Sequence, residues 1–192
     1  TSEPPKDLPL LENPKLIMTP HLGASTEEAQ VEVAIEVADQ VLTVLGGRSA
    51  QYTINVPFLP GDVREALAPY IPVATALGSL AIQFADGQIQ AIAVKAGGEI
   101  AEHDTSVLSS AALVGVLAAA TDMRVNLVNA SGMAKDRGIN VVTERDPEGS
   151  EQYTNFVGVE VRTSSGKTYL GGTSVNGRVH LLRINDFFLD ME

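Results

Sequence analysis

Cysteine is absent from the 192 residues, which excludes disulfides, thiolate-held metals and iron–sulfur clusters and is neutral about compartment. Also absent is any run of about 18 apolar residues, the length a helix needs to cross a bilayer. The opening TSEPPKDLP is polar and proline-rich, without the basic-then-apolar order of a secretory signal. Bases are scarce: 13 Lys and Arg stand against 24 acids, for a formal charge of −11. Phosphate backbones need a basic face, so nucleic acid is excluded as a partner. No His, Asp and Glu cluster has metal spacing, and no metal is expected. These absences leave a cytoplasmic protein with neither membrane nor nucleic-acid partner as the expectation.

Two distributions are uneven. Nine of the ten prolines fall at or before Pro72, and only Pro147 lies beyond. Residues 1–122 hold 15 acids and 5 bases, whereas 123–192 hold 9 acids and 8 bases. The shift predicts two structural units, divided near Phe58, and makes the second the better place for a small anion.

In the first unit, residues 1–14 read as an extended loop. Lys15–Met18 is a short apolar run between Pro14 and Pro20, which fits a buried strand. Ser25 and Glu28 have capping-box spacing and predict a long helix. Its acidic stripe is Glu28, Glu32, Glu36 and Asp39; Val31, Ala34, Ile35, Ala38, Val41, Leu42 and Leu45 fill the opposite face. Gly46 and Gly47 end it, and Gln51–Val56 reads as a return strand.

In the second unit, Asp62–Tyr70 and Pro72–Phe84 predict two helical pieces broken at Pro72. Gln88–Lys95 predicts a strand, Thr105–Thr121 a buried helix, and Asp122–Lys135 a further helix stopped at Gly138. Ile139–Glu144, Phe156–Thr163, Thr168–Ser174 and Val179–Ile184 predict strands. Ser164-Ser165-Gly166-Lys167 reads as a hairpin turn. The fold class is α+β with a mainly antiparallel sheet. Asn126 and Asn129, three apart, read as buried amides holding backbone. His103 reads as a loop residue beside a helix-capping Asp104, and His180 as a half-exposed strand residue without chemistry.

The residues most suggestive of chemistry are Glu3 and His21. A carboxylate behind an imidazole can fix its tautomer and raise its basicity, which is the core of many acid–base sites. Taken alone, such a pair is equally a loop histidine and a terminal acid. The whole stretch EPPKDLPLLENPKLIMTPHLGASTEEAQ, however, resembles the last part of the catalytic domain of D-isomer-specific 2-hydroxyacid dehydrogenases. Its LGAST ending points within them to the D-3-phosphoglycerate dehydrogenases. The resemblance implies that His21 takes the proton of the substrate hydroxyl as hydride leaves for NAD, that Glu3 orients it, and that Gly23, Ala24 and Ser25 lie near the nicotinamide. It also implies that residues 1–57 are the tail of an α/β core made of strand, long helix and return strand. No Gly-x-Gly-x-x-Gly follows a strand anywhere, so the dinucleotide cradle is missing. The chain is therefore expected to be a fragment, inactive alone.

PYIPVATALGSLAIQFADGQI, RVNLVNASGMAKDRGI, QYTNFVGVEVR and RVHLLRINDFFLDME resemble the intervening regulatory domain of the longer D-3-phosphoglycerate dehydrogenases, over residues 58–192. A domain of iron–sulfur serine dehydratases is similar. The resemblance implies binding of phosphate or a small phosphorylated hydroxy acid, and a homo-oligomer. Candidate anion ligands are Lys135, Arg137, Arg145 and Arg162, with Tyr153, Thr154 and Asn155 as donors. The plainer roles are a helix end for Lys135 and Arg137, an ion pair for Arg145, and a solvated strand face for Arg162. Two other readings stand beside the fragment: an anion-sensing or scaffold module without catalysis, and another 2-hydroxyacid dehydrogenase. The last leaves residues 58–192 unaccounted for.

Overall fold

The computed structural model describes residues 9–19, 21–46, 52, 61–149 and 153–192. The chain divides into two compact units, Thr1–Thr53 and Ile54–Glu192.

In the first unit, a 3-10 turn over Pro9–Glu12 leads into an exposed segment. The strand expected at Lys15–Met18 does not form, and Ile17 is 90% exposed. A strand needs a hydrogen-bonding neighbour, and none pairs with this run among the described residues. Helix α1 spans Glu27–Leu45. Its N-cap is Thr26 rather than Ser25: Thr26 is extended (φ −106°, ψ 157°) and its hydroxyl accepts the Ala29 amide at 3.2 Å. The cap thus falls one residue later, and Glu27 and Glu28 still sit at the positive end of the helix. Gly46 closes the helix through the Leu42 carbonyl. None of α1 is buried, and Ile35, Leu42 and Leu45 stand 58%, 65% and 78% exposed. The return strand expected at Gln51–Val56 lies outside the described residues except Tyr52, which forms a bend.

The second unit runs α2 (Gly61–Leu67), α3 (Tyr70–Phe84), β1 (Ile89–Gly97), α4 (Ser106–Ala118), α5 (Ala130–Asp136), β2 (Asn140–Asp146), β3 (Phe156–Thr163), β4 (Lys167–Val175), β5 (Arg178–Ile184) and β6 (Phe187–Met191). The sheet order is β2-β1-β3-β4-β5-β6, with β1–β2 parallel and every other pair antiparallel. On one face Ile92, Val94 and Ala96 lie opposite Val161, Val159 and Val157, all buried. Helices α3 and α4 cover this face, α3 over β3 and β4 and α4 over β1 and β2.

The two helices approach closely because Gly78 and Gly115 carry no side chain at the crossing. A Cβ on Gly78 would collide with the Ala112 carbonyl, and one on Gly115 with the Thr75 carbonyl. Ten residues of α4 are buried, as its all-round apolar sequence demands. Its Ser109 is satisfied by Thr143 of β2 at 2.8 Å.

The helical break falls at Ala68-Pro69 rather than Pro72. Pro72 sits in the first turn of α3, where the missing N–H has no intrahelical partner to lose. Taken through both pieces, Val63–Phe84 has the length and mean hydropathy (22 residues, 1.4) of a spanning helix. The interruption and the burial of Val73, Ala74, Leu77, Gly78 and Ala81 make it a core element.

Three further differences from expectation are local. Residues 122–129 are turns, not helix. Asn126 and Asn129 do hold backbone, but as a reciprocal pair near the surface. Asn126 Oδ1 accepts the Val128 and Asn129 amides at 2.9 and 3.0 Å, and Asn129 Oδ1 accepts the Asn126 amide at 2.8 Å. Such side-chain bonds compete with helix. Lastly, β6 adds a strand that the alternation of FFLDM does not announce.

Candidate functional site

His21 lies in an exposed bend before α1, and Glu3 lies outside the described residues. Gly23, Ala24 and Ser25 form the exposed turn between His21 and the Thr26 cap. The Ala24 carbonyl accepts Gln30 Nε2 at 3.4 Å, which ties the turn back to the helix it precedes. Along the far end of α1, Val37, Gln40, Val41, Val44, Leu45 and Tyr52 line a cavity of about 370 Å³. β1 runs through Gly97-Gly98 into only a 3-10 turn, Glu99–Glu102, and no strand among the described residues leads through a Gly-x-Gly-x-x-Gly turn into an α-helix, so no pyrophosphate cradle is present there. The residues do not fit a complete NAD site.

In the second unit, register separates the seven anion candidates. Asn140, Ala91, Arg162 and Lys167 form one row across β2, β1, β3 and β4. Lys135 and Arg137 lie just before β2, on that side. Arg145 pairs with Ala96, and Phe156, directly after Tyr153, Thr154 and Asn155, pairs with Gly97. Ala91 and Gly97 are six residue steps apart along β1, roughly 20 Å at the usual rise. No single small anion touches both groups.

At the first end, Arg162 Nε donates to Glu160 Oε1 at 2.5 Å, and Lys167 lies 3.6 Å from the same carboxylate. Lys135, Ser131, Gly138, Ile139, Asn140 and Val141 line a cavity of about 430 Å³. At the other end, Arg145 Nη1 reaches the His103 carbonyl at 3.5 Å. Asn155 is committed to backbone: its Oδ1 accepts the Ile100 amide at 3.1 Å and its carbonyl accepts Thr173 Oγ1 at 2.5 Å. Gly98 (φ +80°) is pressed against the Thr154 carbonyl, so only glycine fits there.

Tyr153 belongs to a network that the sequence did not reveal. Its hydroxyl donates to Asp190 Oδ2 at 2.8 Å, and His180 Nδ1 lies 3.1 Å from Asp190 Oδ1. His180 is a partly exposed strand residue, as expected, and has a partner in Asp190. The bond from His180, then that from Tyr153, holds the Asp190 carboxyl below its ordinary value. The Asp190 hydrogen bond in turn raises the Tyr153 hydroxyl, which stays protonated at neutral pH. A carboxylate with a depressed pKa contributes stability that is present above its unfolded value, about 3.9, and lost as pH falls through the folded value. In a carboxyl NMR titration, Asp190 is expected to protonate below the ordinary aspartate midpoint; an ordinary midpoint would contradict the network. Among the described residues, no group of three or more His, Asp and Glu could hold a metal ion.

A family model described as the D-3-phosphoglycerate dehydrogenase intervening domain matches residues 66–185. The D-3-phosphoglycerate dehydrogenase of Synechocystis sp. is 40% identical over 187 residues, covering 96% of this chain and 34% of the relative. That of Methanocaldococcus jannaschii is 36% identical over 185 residues, covering 96% and 35%. That of Bacillus subtilis is 40% identical over 159 residues, covering 83% and 30%. The chain spans about a third of the length of these curated relatives.

Proposed function

The chain belongs to the D-3-phosphoglycerate dehydrogenase intervening-domain family, and from that premise we propose that it works as part of an NAD-dependent D-3-phosphoglycerate dehydrogenase. The reaction is oxidation of 3-phospho-D-glycerate to 3-phosphohydroxypyruvate, which feeds L-serine synthesis. Residues 1–57 are the end of the catalytic core and 58–192 the regulatory domain. The enzyme is a cytoplasmic homo-oligomer.

The observation that carries this reading is the reach of the similarity. It covers 96% of the chain in two relatives, so it takes in the His21 segment as well as residues 66–185.

NAD supplies the hydride acceptor when bound, its pyrophosphate held by sequence other than these residues. This chain's own share is the proton. The His21 imidazole accepts it from the substrate hydroxyl, and Glu3 fixes the ring and favours the imidazolium that results. Gly23, Ala24 and Ser25 line the nicotinamide end with backbone.

In the regulatory domain, phosphate or a small phosphorylated hydroxy acid binds at one end of the sheet. One candidate set is Lys135, Arg137 and Arg162; the other is Arg145, Tyr153, Thr154 and Asn155. At the first end Arg162 is already paired with Glu160, whereas Lys135 and Arg137 make no ion pair among the described residues and Lys135 faces the 430 Å³ cavity. At the other end Arg145, Tyr153 and Asn155 each already bond within the protein, which favours the Lys135 end.

The purified 192-residue chain is expected to form no NADH from NAD and 3-phosphoglycerate, yet to melt at a higher temperature in millimolar phosphate, which binds the folded state. Turnover by material of verified mass would overturn the assignment of the NAD site to other sequence. An unchanged melting temperature would overturn the anion site.

A further inference from the structure

Strand β6 is the short, exposed edge of the sheet. None of its residues is buried, and Phe187, Phe188 and Met191 are 76%, 71% and 59% exposed. Its register with β5 consists of Leu181↔Met191, Arg183↔Phe188 and Ile184↔Phe187, with an irregularity between Leu181 and Arg183. Its other edge meets no strand among the described residues. Apolar burial, the dominant favourable term elsewhere in the sheet, contributes little here.

Side chains supply what burial does not. Glu192, just past β6, pairs with Arg178, and the Arg183 guanidinium lies 5.0 Å from the Phe188 ring centre. Both contacts join β6 only to β5. Asp190 reaches further, to Tyr153 ahead of β3 as well as to His180 on β5. At neutral pH its carboxylate can only accept, so His180 Nδ1 carries the proton that points at it. Among the described residues, the other charged groups on β5, on or just past β6 and in the turn between them are Arg178, Arg183, Asp186 and Glu192; Thr173, opposite His180 on β4, is uncharged.

We propose that β6 is a releasable strap and that Asp190 is its clasp. Two bonds to one carboxylate decide whether the strap lies on β5. The same carboxylate ties the strap to the Tyr153–Asn155 segment, whose Asn155 holds Ile100 and Thr173 in place. Anything that draws the Tyr153 hydroxyl away loosens β6 and uncovers the β5 edge, so the end of the sheet and its last strand move as a coupled pair. The inference stands on the network itself and is independent of the catalytic assignment.

Amide hydrogen exchange of the 192-residue chain at neutral pH tests this. In the wild-type chain, β6 amides are expected to exchange at least about tenfold faster than those of β3 and β4, because they open locally. Asp190→Ala is expected to accelerate β6 by about a further tenfold, the loss of bonds to a charged group, while β1, β3 and β4 keep their rates. Tyr153→Phe should act on the same amides with a smaller increase. It decides the matter alone if Asp190→Ala fails to fold. Equal rates for β6 and β3 in the wild type, unchanged β6 rates in the variants, or acceleration through the whole sheet would each overturn the proposal.

Discussion

Gly115→Val is expected to destabilise the second unit by about 3 kcal/mol or more, a large fraction of the stability of an ordinary domain. Helix α4 meets α3 where Gly115 faces the Thr75 carbonyl and Gly78 faces the Ala112 carbonyl. The obstacle is backbone, which cannot swing aside as the end of a flexible side chain can. A branched side chain at Gly115 must push the helices apart, and Leu77, Leu108, Leu113 and Leu117 would then lose contacts in the core they share. Interiors are packed too tightly to absorb such a shift. Urea denaturation of the 192-residue chain measures it, with Gly132→Ala as the matched control. Gly132 lies within α5 and an added Cβ there meets nothing within 4 Å. The control is expected to gain about 0.5–1 kcal/mol from helix propensity. Opposite signs for two glycine replacements in helices would tie the effect to the crossing; a Gly115→Val chain as stable as wild type would refute the close packing.

His21→Gln, made in a polypeptide that extends this chain to the length of its relatives, is expected to lower kcat by about 10²–10⁴ with a small change in KM. That is the usual range for loss of a general base. The amide keeps some of the ring's hydrogen-bonding capacity but cannot take up a proton. An effect confined to the proton step lowers kcat and kcat/KM together. Glu3→Gln should act in the same direction by less, and should move the pH dependence of kcat, because the role proposed for Glu3 is to favour the protonated imidazole. A His21→Gln protein with wild-type kcat would remove His21 from the chemistry.

Much of the fold was legible because it rests on local pattern. The β3 limits Phe156 and Thr163 follow from alternation between turn-forming residues, and α4 follows from a stretch apolar all round, which only a buried helix tolerates. The misplaced features depend on what the pattern does not contain. Thr26 and Ser25 are both competent caps, and backbone geometry, not residue type, chose between them. Pro69 and Pro72 both signal a break, and the later one fits inside the first turn of a helix. Lys15–Met18 looks like a strand, yet strands exist only in pairs.

The site was harder to read for a related reason. Lys135, Arg145, Tyr153 and Arg162 lie within 28 positions of one another in the chain. The parallel pairing of β2 with β1 nevertheless sends Lys135 and Arg145 to opposite ends of the sheet. The Tyr153–Asp190–His180 network joins residues 37 and 10 positions apart, through a strand whose sequence gives no alternation. The Asn176-Gly177 turn was the available signal. Both residues have positive φ, as a tight hairpin requires. A hairpin there, followed by a second reversal at Asn185, would have placed a strand over Phe187–Met191 beside His180.

The most direct measurement is a structure of the polypeptide at its relatives' length, bound to NAD and 3-phosphoglycerate. The His21 imidazole is expected within hydrogen-bonding reach of the substrate hydroxyl, about 2.6–3.2 Å, with the Glu3 carboxylate on its other nitrogen. An imidazole turned away from the nicotinamide, or a Glu3 that never meets it, would contradict the account.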